Sequence, residues 1–194
     1  MGRILLEVCC GSADDVIEAH RGGADRVELN CDLFHGGLTP TLGSLLVAKR
    51  ETGMKIIAMV RPREGGFCYT QAEFAAAVED GKLLLEHGAD GLAFGFLRED
   101  GTVDAQRTRV LAELCRERGK EPVFHRAIDV TPDWRAALDV LMELGVARVL
   151  TSGQQASVPL GADTIRQMVE YAAGRMEILP GGGVNARNLE WVAA

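Results

Sequence analysis

The chain has 194 residues and a formal net charge of −7, which predicts one domain with a sizeable core and no basic surface for nucleic acid. It contains no run of about 18 apolar residues, so we predict no membrane partner. Its five cysteines lack a regular disulfide spacing, and its first residues do not resemble a signal peptide. These two features predict reduced thiols and a cytoplasmic location.

Short apolar segments alternate with longer helical ones along the chain. The short segments predict seven strands, at about residues 4–9, 26–30, 55–61, 91–95, within 122–129, 148–151 and 176–179. Capping residues and terminal glycines predict intervening helices at about 12–21, 42–51, 70–87, 104–118, 133–145 and 163–173, with a last helix capped by Asn185.

This repeated strand–helix unit predicts a parallel sheet. Seven units without a change of pattern favour a TIM-type (β/α)8 barrel that lacks the eighth strand and helix. A doubly wound dinucleotide-binding fold is disfavoured, because no GxGxxG motif follows the first strand. We therefore expect residues 1–194 to form a single barrel domain truncated at its C-terminus, with the first and seventh strands as open edges.

Alternation along each strand predicts which side chains face the barrel interior. The inward set at the upper, C-terminal end of the strands is expected to include Glu7, Cys9, Glu28, Asn30, Arg61 and His125. Two buried carboxylates need a partner, and Arg61 is the expected one. Active sites of such barrels lie at this end. The alternative is an ion-pair network that only fills the barrel.

The segment 122–129 runs from an apolar strand into three ionisable residues, which are His125, Arg126 and Asp129. With Glu7, Glu28 and Arg61 they form the candidate catalytic set. Arg61 and Arg126 would hold an anion, His125 or Glu28 would move a proton, and Asp129 would orient a neighbour. The structural alternative for this segment is a satisfied histidine beside an Arg–Asp pair.

Two glycine-rich turns follow consecutive strands near the end of the chain. They contain Ser152 and Gly153, and then Gly181, Gly182 and Gly183. Their backbone N–H groups would cradle an anion such as phosphate, or the glycines would simply allow tight turns. No lysine lies at the C-terminal end of a predicted strand, which argues against a Schiff-base aldolase.

Several segments together resemble the CutC family of copper homeostasis proteins. They are Leu-Glu-Val-Cys-Cys at 6–10, Gly-Ala-Asp-Arg-Val-Glu-Leu at 23–29, Gly-Gly-Leu-Thr-Pro at 36–40, Val-Arg-Pro-Arg at 60–63, Phe-Cys-Tyr at 67–69, Phe-His-Arg-Ala at 124–127, Arg-Val-Leu-Thr-Ser-Gly at 148–153 and Pro-Gly-Gly-Gly at 180–183. The resemblance implies a TIM-type barrel, a cytoplasmic protein, a homodimer or larger homo-oligomer, and a role in copper homeostasis with copper as the bound ion.

The resemblance makes Cys9 and Cys31 the candidate copper ligands. The family usually has cysteine at the position of Asn30, where it would face Cys9. Cu(I) prefers thiolate ligands, so we predict that Asn30 leaves only weak Cu(I) binding.

Two function classes therefore remain open. The first is a copper-binding homeostasis protein, for which the ligand is a metal ion. The second is a TIM-barrel enzyme that acts by acid/base chemistry on a small anionic substrate, either phosphorylated or carboxylated. A variant of the second has the carboxylates and His125 binding a hard divalent metal.

Overall fold

The computed structural model describes residues 4–193. Seven strands, all parallel, form one sheet in sequential order. The strands are β1 (Glu7–Cys10), β2 (Arg26–Leu29), β3 (Ile56–Met59), β4 (Gly91–Phe94), β5 (Glu121–Phe124), β6 (Arg148–Thr151) and β7 (Glu177–Pro180). The sheet curls into an incomplete TIM-type barrel, and the prediction of seven parallel strands in barrel order is confirmed.

The helices lie between the strands in the chain. They are α1 (Ala13–Arg21), α2 (Leu42–Thr52), α3 (Gln71–Glu86), α4 (Ala105–Arg116), α5 (Trp134–Glu143), α6 (Val158–Ala172) and α7 (Leu189–Ala193), with short 3-10 helices at Leu33–His35 and Arg126–Val130. Among residues 4–193, none of these helices combines the length and apolar character that crossing a membrane demands.

Side-chain caps explain several helix starts. The Ser12 hydroxyl accepts a hydrogen bond from the Asp15 amide, and Thr70 forms a reciprocal capping box with Glu73. Our prediction for α6 was wrong, since this helix begins at Val158 rather than near residue 163. Pro159 fits in its first turn because no intrahelical N–H bond is needed there.

The last helix also begins later than predicted. Asn185 does not cap α7 directly, because a turn occupies residues 186–188 and the helix starts at Leu189. The first strand is shorter than predicted as well, starting at Glu7 rather than at residue 4. These shifts lie at element ends and leave the order of the elements unchanged.

The two faces of the sheet are packed differently. Val27, Leu29 and Ile56 belong to the large core cluster that includes the helices. A smaller, separate cluster fills the barrel interior and consists of Ile57, Met59, Ala93 and Val123. This alternation places residues 28, 30, 61 and 125 on the inward side of their strands or strand extensions.

The N-terminal end of the barrel is closed by a set of charged side chains that we call the ionic floor. It consists of Glu7, Arg26, Lys55, Glu121, Arg148 and Glu177. Arg148 is central, lying 3.0 Å from Glu121 and 2.9 Å from Glu177. Glu177 of β7 also lies 3.6 Å from Arg26 of β2, so the floor links the two ends of the open sheet.

Candidate functional site

Glu28 is the carboxylate on the inward face of β2. Its side chain is buried, and its Oε1 atom accepts a hydrogen bond from Asn30 Nδ2 at 3.1 Å and a weak one from the Cys9 thiol at 3.8 Å. Its Oε2 atom has no hydrogen-bond partner among the described residues. Burial, and then the nearby charge of Glu7, raise the pKa of Glu28 to about 7.

His125 follows the last residue of β5 and is also buried. The Ala127 amide donates to its Nδ1 atom at 3.1 Å, while its Nε2 atom has no partner in the described part of the chain. Burial, and then the charge of Arg61, lower the pKa of His125 to about 3. The ring is therefore neutral at physiological pH.

Arg61 lies at the top of β3 and is almost fully buried. Its guanidinium donates to the backbone carbonyls of His35, Gly37 and Gly65 at 3.2, 3.0 and 3.2 Å. Our prediction that Arg61 pairs with the buried carboxylates was wrong, because the loops after β2 and β3 supply carbonyl oxygens instead. Its Nε atom has no hydrogen-bond partner within residues 4–193.

Two aromatic residues that the candidate set did not include surround Arg61 and His125. The Phe67 ring centroid lies 5.0 Å from that of His125 and 5.4 Å from the Arg61 guanidinium carbon. Burial raises the pKa of the Tyr69 hydroxyl, and the neighbouring Arg61 guanidinium opposes that shift. The signal that pointed to them was the Phe-Cys-Tyr motif in the glycine-rich loop after β3.

Asn30 links the Glu28 part of the site to the Arg61 part. Its amide donates to Glu28, and its Oδ1 atom lies 2.5 Å from where a side chain on Gly37 would begin. Gly37 has a φ of +81° and its carbonyl accepts from Arg61. Glycine is required there by both backbone conformation and space. Asn30 therefore orients the carboxylate.

Glu7 lies elsewhere. It belongs to the ionic floor, where it pairs with Arg26 and lies 3.8 Å from Arg148. The expectation that Glu7 joins Glu28 at the upper end was wrong. Alternation along β1 gives Glu7 the inward face, but its register partner is Arg26 at the start of β2, which sets it one layer below Glu28.

Asp129 forms a hub between the 3-10 helix after β5 and the turn after β6. Its carboxylate accepts from the backbone amides of Ser152 and Gln154, from the Ser152 and Thr151 hydroxyls, and from Arg126 Nε at 2.9 Å. The Gly153 amide donates to the Thr151 hydroxyl. The predicted cradle at Ser152 and Gly153 is thus filled by a carboxylate of the protein itself, which corrects that prediction.

The second glycine turn has a different environment. The Gly181 amide donates to the Thr151 carbonyl, and the Gly182 carbonyl accepts from Val158 at the start of α6. Arg126 Nη1 lies 3.0 Å from where a side chain on Gly182 would begin. The Arg126 side chain is 41% exposed, so this turn and Arg126 together remain accessible to an anion.

A separate surface cleft of about 280 Å³ lies between the loop after β4 and helix α5. Its lining is mostly apolar, and its charged members are Arg98 and Asp133. Asp133 already caps α5. This cleft shares no residue with the set at the barrel mouth, so it offers no acid/base chemistry of its own.

The two candidate copper ligands do not form a thiolate pair. Cys9 donates to Glu28, whereas the Cys31 thiol donates to the Thr39 carbonyl at 3.0 Å. Burial, and then the charge of Glu28, raise the pKa of Cys9 to about 12, which keeps this thiol protonated. No group of three or more His, Cys, Asp or Glu side chains within residues 4–193 has metal-binding geometry. This donor set does not fit a Cu(I) centre.

Comparison with known proteins completes the description of the site. The model of the CutC family matches residues 4–194. The chain belongs to the CutC family. A family protein CutC from Treponema denticola is 53% identical over 97% of this chain and 76% of its own length. The human copper homeostasis protein cutC homolog is 44% identical, over 96% of this chain and 67% of its own length. The resemblance seen in the motifs is confirmed.

Solved structures agree with the fold. The crystal structure of CutC from Streptococcus agalactiae matches with a TM-score of 0.91 and 33% identity, covering 98% of this chain and 93% of the other. A protein described as QR15, an aldolase, matches with a TM-score of 0.65 at 15% identity, over 94% of this chain and 80% of its own. The second likeness shows the fold alone.

Proposed function

We propose that the mouth of this barrel binds a small anionic molecule and performs acid/base chemistry on it. One observation carries the proposal. Glu28, Arg61, Tyr69 and His125 each keep a buried polar atom without a partner among the described residues. Buried polar groups in folded proteins are nearly always hydrogen-bonded, so a cluster of unpaired ones is the signature expected of a site whose partner is a ligand.

Glu28 is the proton carrier in this proposal. A carboxyl group with a pKa of about 7 is suited to both accepting and releasing a proton near neutral pH. Asn30 donates a hydrogen bond to Glu28 Oε1, which leaves Glu28 Oε2 for the substrate. The protein surroundings thus supply the two properties that general acid/base catalysis needs, which are a fixed orientation and a matched pKa.

Arg126 and the Gly182–Gly183 turn would hold the anionic group of the substrate. Arg126 already pairs with Asp129 through its Nε atom and with Ser152 through Nη2, which fixes the guanidinium while Nη1 faces Gly182. Gly182 and Gly183 have positive φ values of 108° and 78°, so they form a turn that glycine adopts without strain and whose backbone N–H groups would face the anion. Asp129 would then be a positioning residue.

Titration of ¹⁵N-labelled protein with sodium phosphate and, separately, sodium oxalate would test this function. We expect amide shift changes at residues 61–69, 125–127 and 182–183, and at least fivefold weaker binding in Arg126→Gln. Arg166→Gln is the matched control, because Arg166 is an exposed arginine that pairs with Asp163 in its own helix. Binding of neither anion, or equal weakening by both substitutions, would reject the proposal.

A second proposal concerns copper, and the names of the human and mouse relatives favour it. Any Cu(I) would bind at Cys9, whose thiol lies beside Glu28 on the inward side of β1. The protonated thiol, with Asn30 rather than a second cysteine beside it, would make this binding weak. Competition with a Cu(I) chelator would measure this binding directly.

We further propose a cytoplasmic homodimer or larger homo-oligomer that interacts with neither nucleic acid nor membrane. All five cysteines are free thiols, which suits a reducing compartment. The adjacent Leu33 and Phe34 side chains are 43% and 95% exposed, and a second copy would cover this apolar pair. Light scattering of the purified chain, compared with Phe34→Ser, would test the oligomer, since a monomer in both cases would reject it.

A further inference from the structure

The His125 ring is held in one orientation by two neighbours. The Ala127 amide donates to Nδ1 at 3.1 Å, and Gly95 leaves the space in which the ring lies. A side chain on Gly95 would begin 2.6 Å from His125 Nδ1 and 2.8 Å from the Ala127 side chain. Any residue other than glycine would displace the imidazole.

This arrangement fixes the position of the proton. Because Nδ1 accepts a hydrogen bond from an amide, the proton of the neutral ring lies on Nε2. Nε2 is the buried atom without a partner in the described chain. Protonating Nδ1 would break the Ala127 hydrogen bond and create a second buried cation beside Arg61. His125 therefore presents one N–H donor and takes up no proton near neutral pH.

The neighbouring unpaired atoms can also donate hydrogen bonds. Arg61 Nε carries an N–H group, and Tyr69 carries a hydroxyl that can donate or accept. The Phe67 ring packs against both His125 and Arg61 and shields them from water. A group of donors in a place sheltered from water calls for a ligand atom that accepts hydrogen bonds.

We propose that His125 is a neutral hydrogen-bond donor to a carbonyl or carboxylate oxygen of the ligand, which makes the ligand a small oxo or carboxylic acid. This inference rests on the proposed function and refines it. Of the two candidates for proton transfer, His125 and Glu28, only Glu28 then remains. His125 instead stabilises negative charge on an oxygen atom of the ligand, as a neutral imidazole can. The Phe67 loop must move for such a ligand to enter, because the donors are buried.

Nitrogen NMR of ¹⁵N-histidine-labelled protein tests the protonation state without altering the chain. We expect the His125 signals, assigned by their loss in His125→Asn, to show the neutral form with the proton on Nε2 from pH 5 to pH 8. The exposed His35 is an internal control of the opposite kind, because hydrogen bonding to Asp32 raises its pKa and favours the protonated ring. A His125 that titrates in this range, or that carries its proton on Nδ1, would overturn the inference.

Oxalate binding tests the donor role. His125→Asn keeps an acceptor for the Ala127 amide but has no atom at the position of Nε2, and His125→Gln places an amide N–H close to that position. We expect about tenfold or greater loss of oxalate affinity in the Asn variant and a smaller loss in the Gln variant. If oxalate binds the unaltered protein and both variants equally, the donor role is wrong while the proposed function survives. If neither oxalate nor phosphate binds the unaltered protein, the proposed function itself fails.

Discussion

The two ends of this barrel are built from similar residue types but differ in how completely those residues are paired. In the ionic floor, Arg148 contacts three carboxylates and Arg26 contacts two. At the mouth, Glu28 and His125 each keep a buried atom unpaired among the described residues. The floor has one such atom, Arg148 Nε.

This difference separates a structural role from a ligand-binding one. Pairing neutralises buried charges and joins distant strands, as the contact of Glu177 with Arg26 does across the open sheet. An unpaired buried group lowers stability by about 1–3 kcal/mol. Under the proposed function, the groups at the mouth are completed by a ligand.

The largest effect is expected when the floor is broken. Arg148→Met removes a buried cation and leaves Glu7 without one of its partners, so we expect the free energy of unfolding to fall by about 3–5 kcal/mol. Urea unfolding would measure it. Lys82→Met is the matched control, because Lys82 pairs with Glu79 on the exposed side of α3 and its loss should change stability by less than about 0.5 kcal/mol. Equal losses of stability in the two variants would show that ion pairs of the floor contribute no more than ion pairs on the surface.

The second effect concerns pH and Glu28. Its pKa rises from 4.5 to about 7 on folding, so the folded state binds more protons between these values and stability falls as pH rises through them. Glu28→Gln resembles the protonated acid and escapes this loss. We expect the variant to gain roughly 2–3 kcal/mol relative to the unaltered protein between pH 4.5 and pH 8.

Unfolding curves at the two pH values would measure this gain. Glu79→Gln, at an exposed position of α3, is the matched control. Parallel stability profiles for Glu28→Gln and the unaltered protein would mean that Glu28 is an ordinary ionised carboxylate.

The third prediction tests whether the orientation of His125 at the mouth matters. Gly95→Ala would force the His125 ring and Ala127 apart, and we expect a loss of about 1–3 kcal/mol in the free energy of unfolding together with weaker oxalate binding. Gly43→Ala is the matched control, because Gly43 is exposed in α2 and the nearest atom to a side chain added there is Thr41 Oγ1 at 3.9 Å. A Gly95→Ala variant that binds oxalate normally would show that the orientation of His125 is unimportant.

The smallest effect is expected for copper. Cys9 lacks a second thiolate beside it, so Cys9→Ser should compete with a Cu(I) chelator almost as the unaltered protein does. A difference of more than about tenfold in apparent affinity would show that the thiol is a genuine copper ligand and that the mouth rearranges around the metal.

The sequence predicted the fold well because the fold depends on local periodicity. Alternation in β2 and β3 correctly separated Val27 and Leu29, which pack on helices, from Ile57 and Met59 in the barrel interior. Alternation predicts which face of the sheet a side chain occupies but not its position along the barrel axis. This is why Glu7 was assigned to the wrong end.

Contacts between loops could not be predicted in the same way. Arg61 finds its partners in carbonyls of two loops, and Asp129 binds a turn more than 20 residues away in the chain. Both depend on backbone conformations that only the assembled barrel fixes. The role of Phe67 was missed for the same reason, although its motif was visible.

Electron density at the barrel mouth is the most direct test of the central claim. A crystal of the full chain grown with oxalate at pH 7.5 should show the anion within hydrogen-bonding distance of His125 Nε2 and Arg61 Nε, with the ionic floor unchanged. A mouth free of bound molecules, in which Glu28, Tyr69 and His125 pair with other groups of the protein, would contradict the claim that this end of the barrel is completed by a ligand.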